Sequence, residues 1–340
     1  MRSGRSVQID ISVVVPTFDR PHAVLDCVSS LVAQDVARHE VIVVDNACDD
    51  HLRTSLAGLP VGDTPVRYVA EPAPGLHNAR HRGAREASGK LLLYTDDDVL
   101  CASGWVNAYR VAFEAHPEMV VAAGPVAPLW DEDPEQWLAE LADPSFFTPY
   151  ALIDRGRDFV LEPAGPRTGP FFGCNMAIRK STLFETGGFH IELVGSRYLG
   201  DGETGLHRVL RRSDGLVGWV PNARVGHRIP RERMSLRYLR RRAGLQGAAD
   251  AYSRYNGAIP SRRALVLDAA RHLHDAAHNT RRARGAGRDL RPDQIHAAMA
   301  ARRELAFARY ALALTYSSSR RAIVSRTDWI ANGQMSMKGE

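Results

Sequence analysis

The chain has 340 residues, 44% hydrophobic and 24% charged, with a net charge of +5, a balance that suits one large globular domain or two smaller ones. It contains no apolar run of membrane-spanning length and no signal-peptide pattern at its start, and its four cysteines are far apart without a C-x-x-C pair. That argues against a transmembrane helix and a zinc ribbon, and it suits a reducing cytoplasm.

Residues 1–10 read as a polar lead-in. Ile11 to Val15 is a short buried strand, and Pro21 opens a helix whose apolar positions run through Val24, Val28 and Leu31. Val41 to Val44 is a second strand ending in Asp45, and Asp49 and Asp50 favour a helix start. Val66 to Val69 is a third strand, Gly75 to Ala87 a helix, and Lys90 to Thr95 a fourth strand. Alternating units of this length predict an α/β fold with a mostly parallel sheet flanked by helices. The fourth strand runs straight into Asp96, Asp97 and Asp98. Three carboxylates at a strand's carboxyl end repel one another, and a hard divalent cation, Mn²⁺ or Mg²⁺, is the natural counter-charge. A solvated acidic turn before a helix is the alternative. Asp45, at the same sheet edge, accepts from a base N–H or a ribose hydroxyl, or else caps its own turn.

Val13-Val14-Val15-Pro16-Thr17-Phe18-Asp19-Arg20-Pro21, Val43-Val44-Asp45-Asn46, Pro74-Gly75-Leu76-His77-Asn78-Ala79-Arg80 and Thr95-Asp96-Asp97-Asp98 together resemble the family 2 nucleotide-sugar glycosyltransferases, over roughly residues 11–245. The resemblance implies a GT-A fold. It implies that Pro16, Thr17 and Asp19 or Arg20 line a nucleotide-base pocket, and that Asp45 binds base or ribose. Arg80 would face the diphosphate or the acids. Asp96, Asp97 and Asp98 would form the D-x-D element at the donor, with Asp98 the direct metal ligand, Asp96 nearer the ribose and Asp97 facing structure or solvent. His81 stands where the family usually has asparagine. No Gly-rich phosphate loop follows the first strand, which argues against a sugar nucleotidyltransferase.

Further along, Gly104-Trp105 opens a helix to about His116, and residues 120–126 read as one strand. Residues 127–168 break the rhythm as an insertion, in which Trp130 or Trp137 stacks on a sugar or packs into a core. Phe171 to Ser181 resembles the family's second-half motif. There Asn175 bonds the sugar or diphosphate, or instead the backbone. Around Asp201-Gly202-Glu203-Thr204 the resemblance implies a catalytic base at Glu203, with Asp201 as the fallback. Val217 to Val220 is a last strand. His227 is in register for an additional metal ligand. Arg228 and Arg231, with Arg233, lie in a loop expected to close on the diphosphate.

Three helices follow, at roughly 235–255, 261–283 and 292–315, in a basic C-terminal third: residues 228–340 hold 23 Lys and Arg against 9 Asp and Glu, while the first 227 hold 21 against 30. Such charge suits nucleic acid, anionic lipid or a phosphorylated substrate, or is solvated surface. The expected organisation is a lead-in 1–10, a nucleotide-sugar-binding half 11–126, an acceptor-side half 127–234, a basic helical region 235–316 and a tail 317–340. The expected activity is inverting, metal-dependent transfer of a sugar from a nucleoside diphosphate, UDP first, to an acceptor that is a glycan, lipid-linked sugar, peptide or natural product. Cytoplasmic placement, peripheral membrane contact and pairing of two copies through the C-terminal helices accompany that reading. The rivals are a non-catalytic sugar-nucleotide binder and a basic module for nucleic acid or anionic surfaces.

Overall fold

The computed structural model describes residues 10–36, 38–143, 145–165, 171–191, 193–194, 197–198, 200–212, 215–284 and 291–330. The chain begins as β1 (Ile11–Thr17), α1 (Pro21–Val32), β2 (His39–Asp45), α2 (Asp50–Ala57), β3 (Val66–Ala70), α3 (Leu76–Glu86) and β4 (Leu91–Thr95). It continues through β5 (Val99–Cys101), α4 (Trp105–Ala115), β6 (Met119–Ala123), β7 (Val126–Trp130), α5 (Gln136–Leu141), β8 (Phe146–Phe147), β9 (Leu152–Ile153) and β10 (Val160–Pro163). Next come β11 (Asn175–Arg179), α6 (Lys180–Glu185), β12 (Leu193–Val194), β13 (Arg197–Tyr198), α7 (Glu203–Leu210), β14 (Leu216–Trp219) and β15 (Val225–Ile229). The last elements are α8 (Leu236–Tyr255), α9 (Arg262–Arg282), α10 (Pro292–Tyr316) and α11 (Ser318–Val324).

The main sheet has eight strands in the order β10-β14-β6-β11-β4-β1-β2-β3. The β4-β1-β2-β3 half is parallel throughout, while β11 runs antiparallel to both β4 and β6. Every residue of β1, β2 and β4 is buried, as their unbroken apolar runs require in a sheet covered on both faces. In-register pairing of Thr17 with Asp45 brings the carboxyl ends of β1 and β2 to one edge. Pairing of β1 with β4 from Ile11 and Leu91 onward brings the three aspartates there too.

Residues 120–126, expected as a single strand, are two. β6 belongs to the main sheet, and β7 leaves it for a second sheet ordered β5-β15-β7-β9-β8. The break is at Gly124-Pro125. A Cβ on Gly124 would lie 2.2 Å from the Ala223 carbonyl oxygen, and Pro125 has no N–H to continue a ladder. The second sheet lifts β15, and with it His227, over the aspartates. The 127–168 insertion supplies β7, β8 and β9 to that sheet, and Trp130 packs edge to face on Tyr150 at 5.6 Å.

The C-terminal helices have their own core around Tyr252, Leu265, Phe307, Leu314 and Trp329. The stretch expected as a tail is packed as far as Ile330. Ile323, Val324, Trp329 and Ile330 are buried, Asn256 donates to the carbonyls of Val324 and Arg326, and the Trp329 N–H donates to the Gly187 carbonyl. The aromatic and aliphatic side chains spaced through 323–330 fill a gap between α8 and the loop after α6. Three of the thiols are buried, and Cys48 is exposed.

Candidate active site

A cleft of about 1120 Å³ opens at the carboxyl edge of β1 and β4 and is lined by Pro16, Thr17, Asp96, Asp98, Glu203 and His227, among others. Two clusters of charge organise it, and each is built from distant parts of the sequence.

The first is centred on Arg80. Its side chain, on α3, is entirely buried, yet it reaches Glu203 at 2.6 Å and Asp96 at 2.8 Å. A buried guanidinium demands partners of opposite charge, and here they come from the end of β4 and the first residue of α7. Phe189 underlies the guanidinium at 5.6 Å. Glu203 also accepts from the Gly173 N–H at 3.2 Å and lies 3.5 Å from His77 Nε2. Burial opposes its charge, but Arg80 and then His77 outweigh that and hold the carboxyl well below the ordinary carboxylate range. His81, the departure from the expected asparagine, is a buried neutral imidazole whose Nε2 accepts from the Phe189 N–H at 2.9 Å. Burial lowers its basicity first, and the neighbouring His77 adds to that. It therefore fixes Phe189 beneath Arg80.

The second cluster surrounds Asp98. Its carboxylate meets Arg20 at 2.7 Å, Arg233 at 2.7 Å and His227 Nε2 at 3.4 Å. Burial works against the charge, but the hydrogen bond and charge of His227, then Arg233 and Arg20, pull it far below the usual range. The neighbouring Asp97 is buried, accepts from Thr17 Oγ1 at 2.7 Å and pairs with Arg20 at 3.0 Å. Burial dominates there and pushes it up to about 7, Arg20 notwithstanding. His227 Nδ1 lies 2.7 Å from the Tyr150 carbonyl, so that nitrogen donates a proton and the ring is held with Nε2 toward Asp98. This is the orientation of a metal-ligating histidine.

Among the described residues no group of three His, Cys, Asp or Glu side chains converges as a metal-binding set. Asp98 and His227 fit an ion that takes its other ligands from water and a diphosphate, the usual mode of Mg²⁺ at such sites.

Several expected site residues are placed elsewhere. Asn175 is buried on β11 with its amide fully used: its oxygen accepts from Trp105 Nε1 and Tyr109 Oη, both at 2.8 Å, and its nitrogen donates to the carbonyls of Pro125 and Ala223. It ties the two sheets together and does not reach the cleft. Asp201 also lines the cleft, but it is buried against His190 at 2.8 Å and Arg208 at 3.3 Å and accepts from Ser253 Oγ, whereas a quarter of the Glu203 side chain is exposed. Asp45 accepts from the N–H groups of Ala47 and Asp49 and from Tyr68 Oη, and it is enclosed as the cap of its own turn. Asp19 is exposed, with φ 53°. Arg228 pairs with Asp26, and the exposed Arg231 faces Glu132. The loop arginine that reaches the acids is Arg233. Its signal in the sequence was only membership of an Arg-rich loop. A residue the sequence left unassigned is Tyr150, which holds His227 through a main-chain oxygen, a role side-chain chemistry does not advertise.

The comparisons with known proteins bear on family and fold. The sequence profile described as glycosyl transferase family 2 matches residues 12–187. The succinoglycan biosynthesis protein ExoM of Rhizobium meliloti (strain 1021) is 26% identical over 245 residues, covering 70% of this chain and 72% of that one. A Campylobacter jejuni protein named GalNAc(5)-diNAcBac-PP-undecaprenol beta-1,3-glucosyltransferase is 29% identical over 96 residues, 28% of this chain. Among solved structures, GalNAc-T7 with UDP, GalNAc and Mn²⁺ superposes with a TM-score of 0.50 at 18% identity over 69% of this chain, a likeness of fold. The chain spans 31% of the C. jejuni protein's length and 48% of the GalNAc-T7 chain. Because the profile covers more than half of the sequence, the chain belongs to glycosyltransferase family 2.

Proposed function

We propose that this cleft transfers a sugar from a nucleoside diphosphate donor to an acceptor nucleophile, with inversion at the anomeric carbon. The observation that carries the reading is the Arg80 bridge. One buried guanidinium holds Asp96, from the donor-side triplet, and Glu203, from 107 positions later, in a single cleft. A donor lying along the strand ends has its diphosphate near Asp98, Arg20 and Arg233 and its sugar toward Glu203. Glu203 is ionised, and a quarter of its side chain is exposed, so it accepts the proton of an acceptor hydroxyl or amide. The acceptor atom bonds to the anomeric carbon, the bond from that carbon to the diphosphate oxygen breaks, and the nucleoside diphosphate departs with the electron pair. Arg80 limits the basicity of Glu203 by ion pairing, so contact with acceptor must loosen that pair as the proton moves.

Asp98 and His227 would hold Mn²⁺ or Mg²⁺, which would neutralise charge on the departing diphosphate. Arg20 and Arg233 now balance Asp98 and would turn to the diphosphate when donor arrives. UDP is the nucleotide we favour. A lipid-linked acceptor is in keeping with the C. jejuni relative's name, and no helix among the described residues is long and apolar enough to cross a membrane, so such an acceptor would be met by peripheral contact.

The test is a thermal-shift screen of nucleoside diphosphates and sugar nucleotides against the full chain, with and without Mn²⁺. The expected result is a stabilisation by one nucleotide class that requires the ion and is lost in Asp98→Asn. Indifference to every nucleotide, with or without metal, contradicts the reading.

A further inference from the structure

The cleft does not end at the acids. Its volume of about 1120 Å³ exceeds the roughly 300–1,000 Å³ of ordinary small-molecule sites, and it continues between α8 and α10. Tyr238 stacks on Tyr150 at 5.9 Å, which fixes the start of α8 to the residue that orients His227. From there Tyr238, Arg241, Arg242, Leu245 and Ala249 follow the i, i+3, i+4, i+7 spacing of one helical face, and all five line the cleft. Met299 and Arg303 face them from α10. The two helices cross closely at Gly247, where a Cβ would lie 2.0 Å from the Arg303 carbonyl oxygen.

Charge separates this wall from the donor end. At the donor end the arginines are matched by acids: Arg20 and Arg233 by Asp98, and Arg80 by Asp96 and Glu203. On α10, Arg303 is matched by Asp250 at 2.5 Å, and Glu304 lies against His272. Arg241 rests over the Tyr238 ring at 5.3 Å and Arg242 is half-buried. Among the described residues, neither has a carboxylate partner. Two cleft-facing guanidinium groups without an acid, above an apolar floor of Leu245, Ala249 and Met299, match a phosphate group with an organic substituent.

We propose that the α8–α10 wall is an acceptor subsite and that the acceptor carries a phosphate, bound by Arg241 and Arg242. This rests on the transferase reading of the cleft and names the acceptor's chemistry. Lipid-linked sugar phosphates and soluble sugar phosphates share that chemistry.

Three probes distinguish the outcomes: inorganic phosphate, hexyl phosphate and hexyl glucoside, titrated into the full chain with and without UDP and Mn²⁺ and followed by calorimetry. Both phosphates should bind with UDP and Mn²⁺ present, and hexyl glucoside should not. The double variant Arg241→Gln, Arg242→Gln should weaken phosphate binding about tenfold and leave UDP affinity unchanged. Tighter binding of hexyl phosphate than of inorganic phosphate assigns a lipid-linked acceptor, and equal binding a soluble one. Phosphate binding that survives the double substitution, equal binding of hexyl glucoside, or a matching loss of UDP affinity overturns the proposal. Wild-type protein that binds UDP with Mn²⁺ but no phosphate sinks this subsite alone, whereas failure to bind any nucleotide sinks the donor reading instead.

Discussion

Arg80 carries a full charge with no solvent exposure, and its position is defended by a residue with no side chain. A Cβ on Gly173 would lie 2.3 Å from the Arg80 guanidinium. That guanidinium is pinned by two carboxylates and cannot swing aside without breaking a buried ion pair. Gly173→Ala is therefore expected to cost about 1–3 kcal/mol of stability, read as a shift in denaturant midpoint. It should also lower turnover about 100-fold by misplacing Glu203. The Glu203 carboxyl predicts a pH effect with a definite sign. Its native proton affinity is depressed below the ordinary value of 4.5, so its ion pair stabilises the fold above that pH. The contribution is lost as pH falls through the native value. Glu203→Gln should lose less thermal stability than wild type between pH 5 and pH 3, measured by calorimetry; an unchanged acid sensitivity contradicts the assignment. At this scale the sequence singled out Asp98, Glu203 and His227, and the fold brings all three into the cleft lining. The sequence did not show that Asn175 and Asp45 are used up inside the fold, or that Asp201, although in the cleft lining, is held by His190, Arg208 and Ser253. Nothing in a sequence shows whether a polar side chain turns outward to a ligand or inward to partners within the fold.

Helices α8 and α10 meet through Gly247, and no other residue fits against the Arg303 carbonyl at 2.0 Å. Gly247→Ala must push the helices apart. It is expected to destabilise the protein by about 1–3 kcal/mol and to widen the far end of the cleft, with a lower melting temperature as the readout. The strands β1, β2 and β4 were legible because they are buried on both faces and read as apolar runs. The division of 120–126 between two sheets was not, because Val120 to Val126 keeps strand chemistry throughout and only Gly124-Pro125 marks the turn. The packed stretch up to Ile330 was also missed. Its short helix α11 and lone Trp329 give no periodic pattern, and they are held by contacts to Asn256 and Gly187 that lie far away in sequence. The Gly187 contact links the C-terminal stretch to the loop after α6, and Ser253 on α8 reaches Asp201, just before α7.

Across the whole molecule, an acidic α/β body meets a basic helical third at the cleft. The composition announced this asymmetry without saying where the two would join. The sheet edge supplies the acids, the loop after β15 supplies Arg233, and α8 and α10 extend the cavity away from them. The central claim is that this junction is a donor site whose chemistry depends on Asp98 and Glu203. Its most direct test is release of nucleoside diphosphate from a panel of sugar nucleotides by the full chain with Mn²⁺, water standing in for the acceptor. Wild type should turn over one donor class. Asp98→Asn should bind that donor at least about tenfold more weakly, and Glu203→Gln should keep donor affinity while turnover falls about 100-fold. No release from any donor, or equal rates in wild type and both variants, would contradict the account.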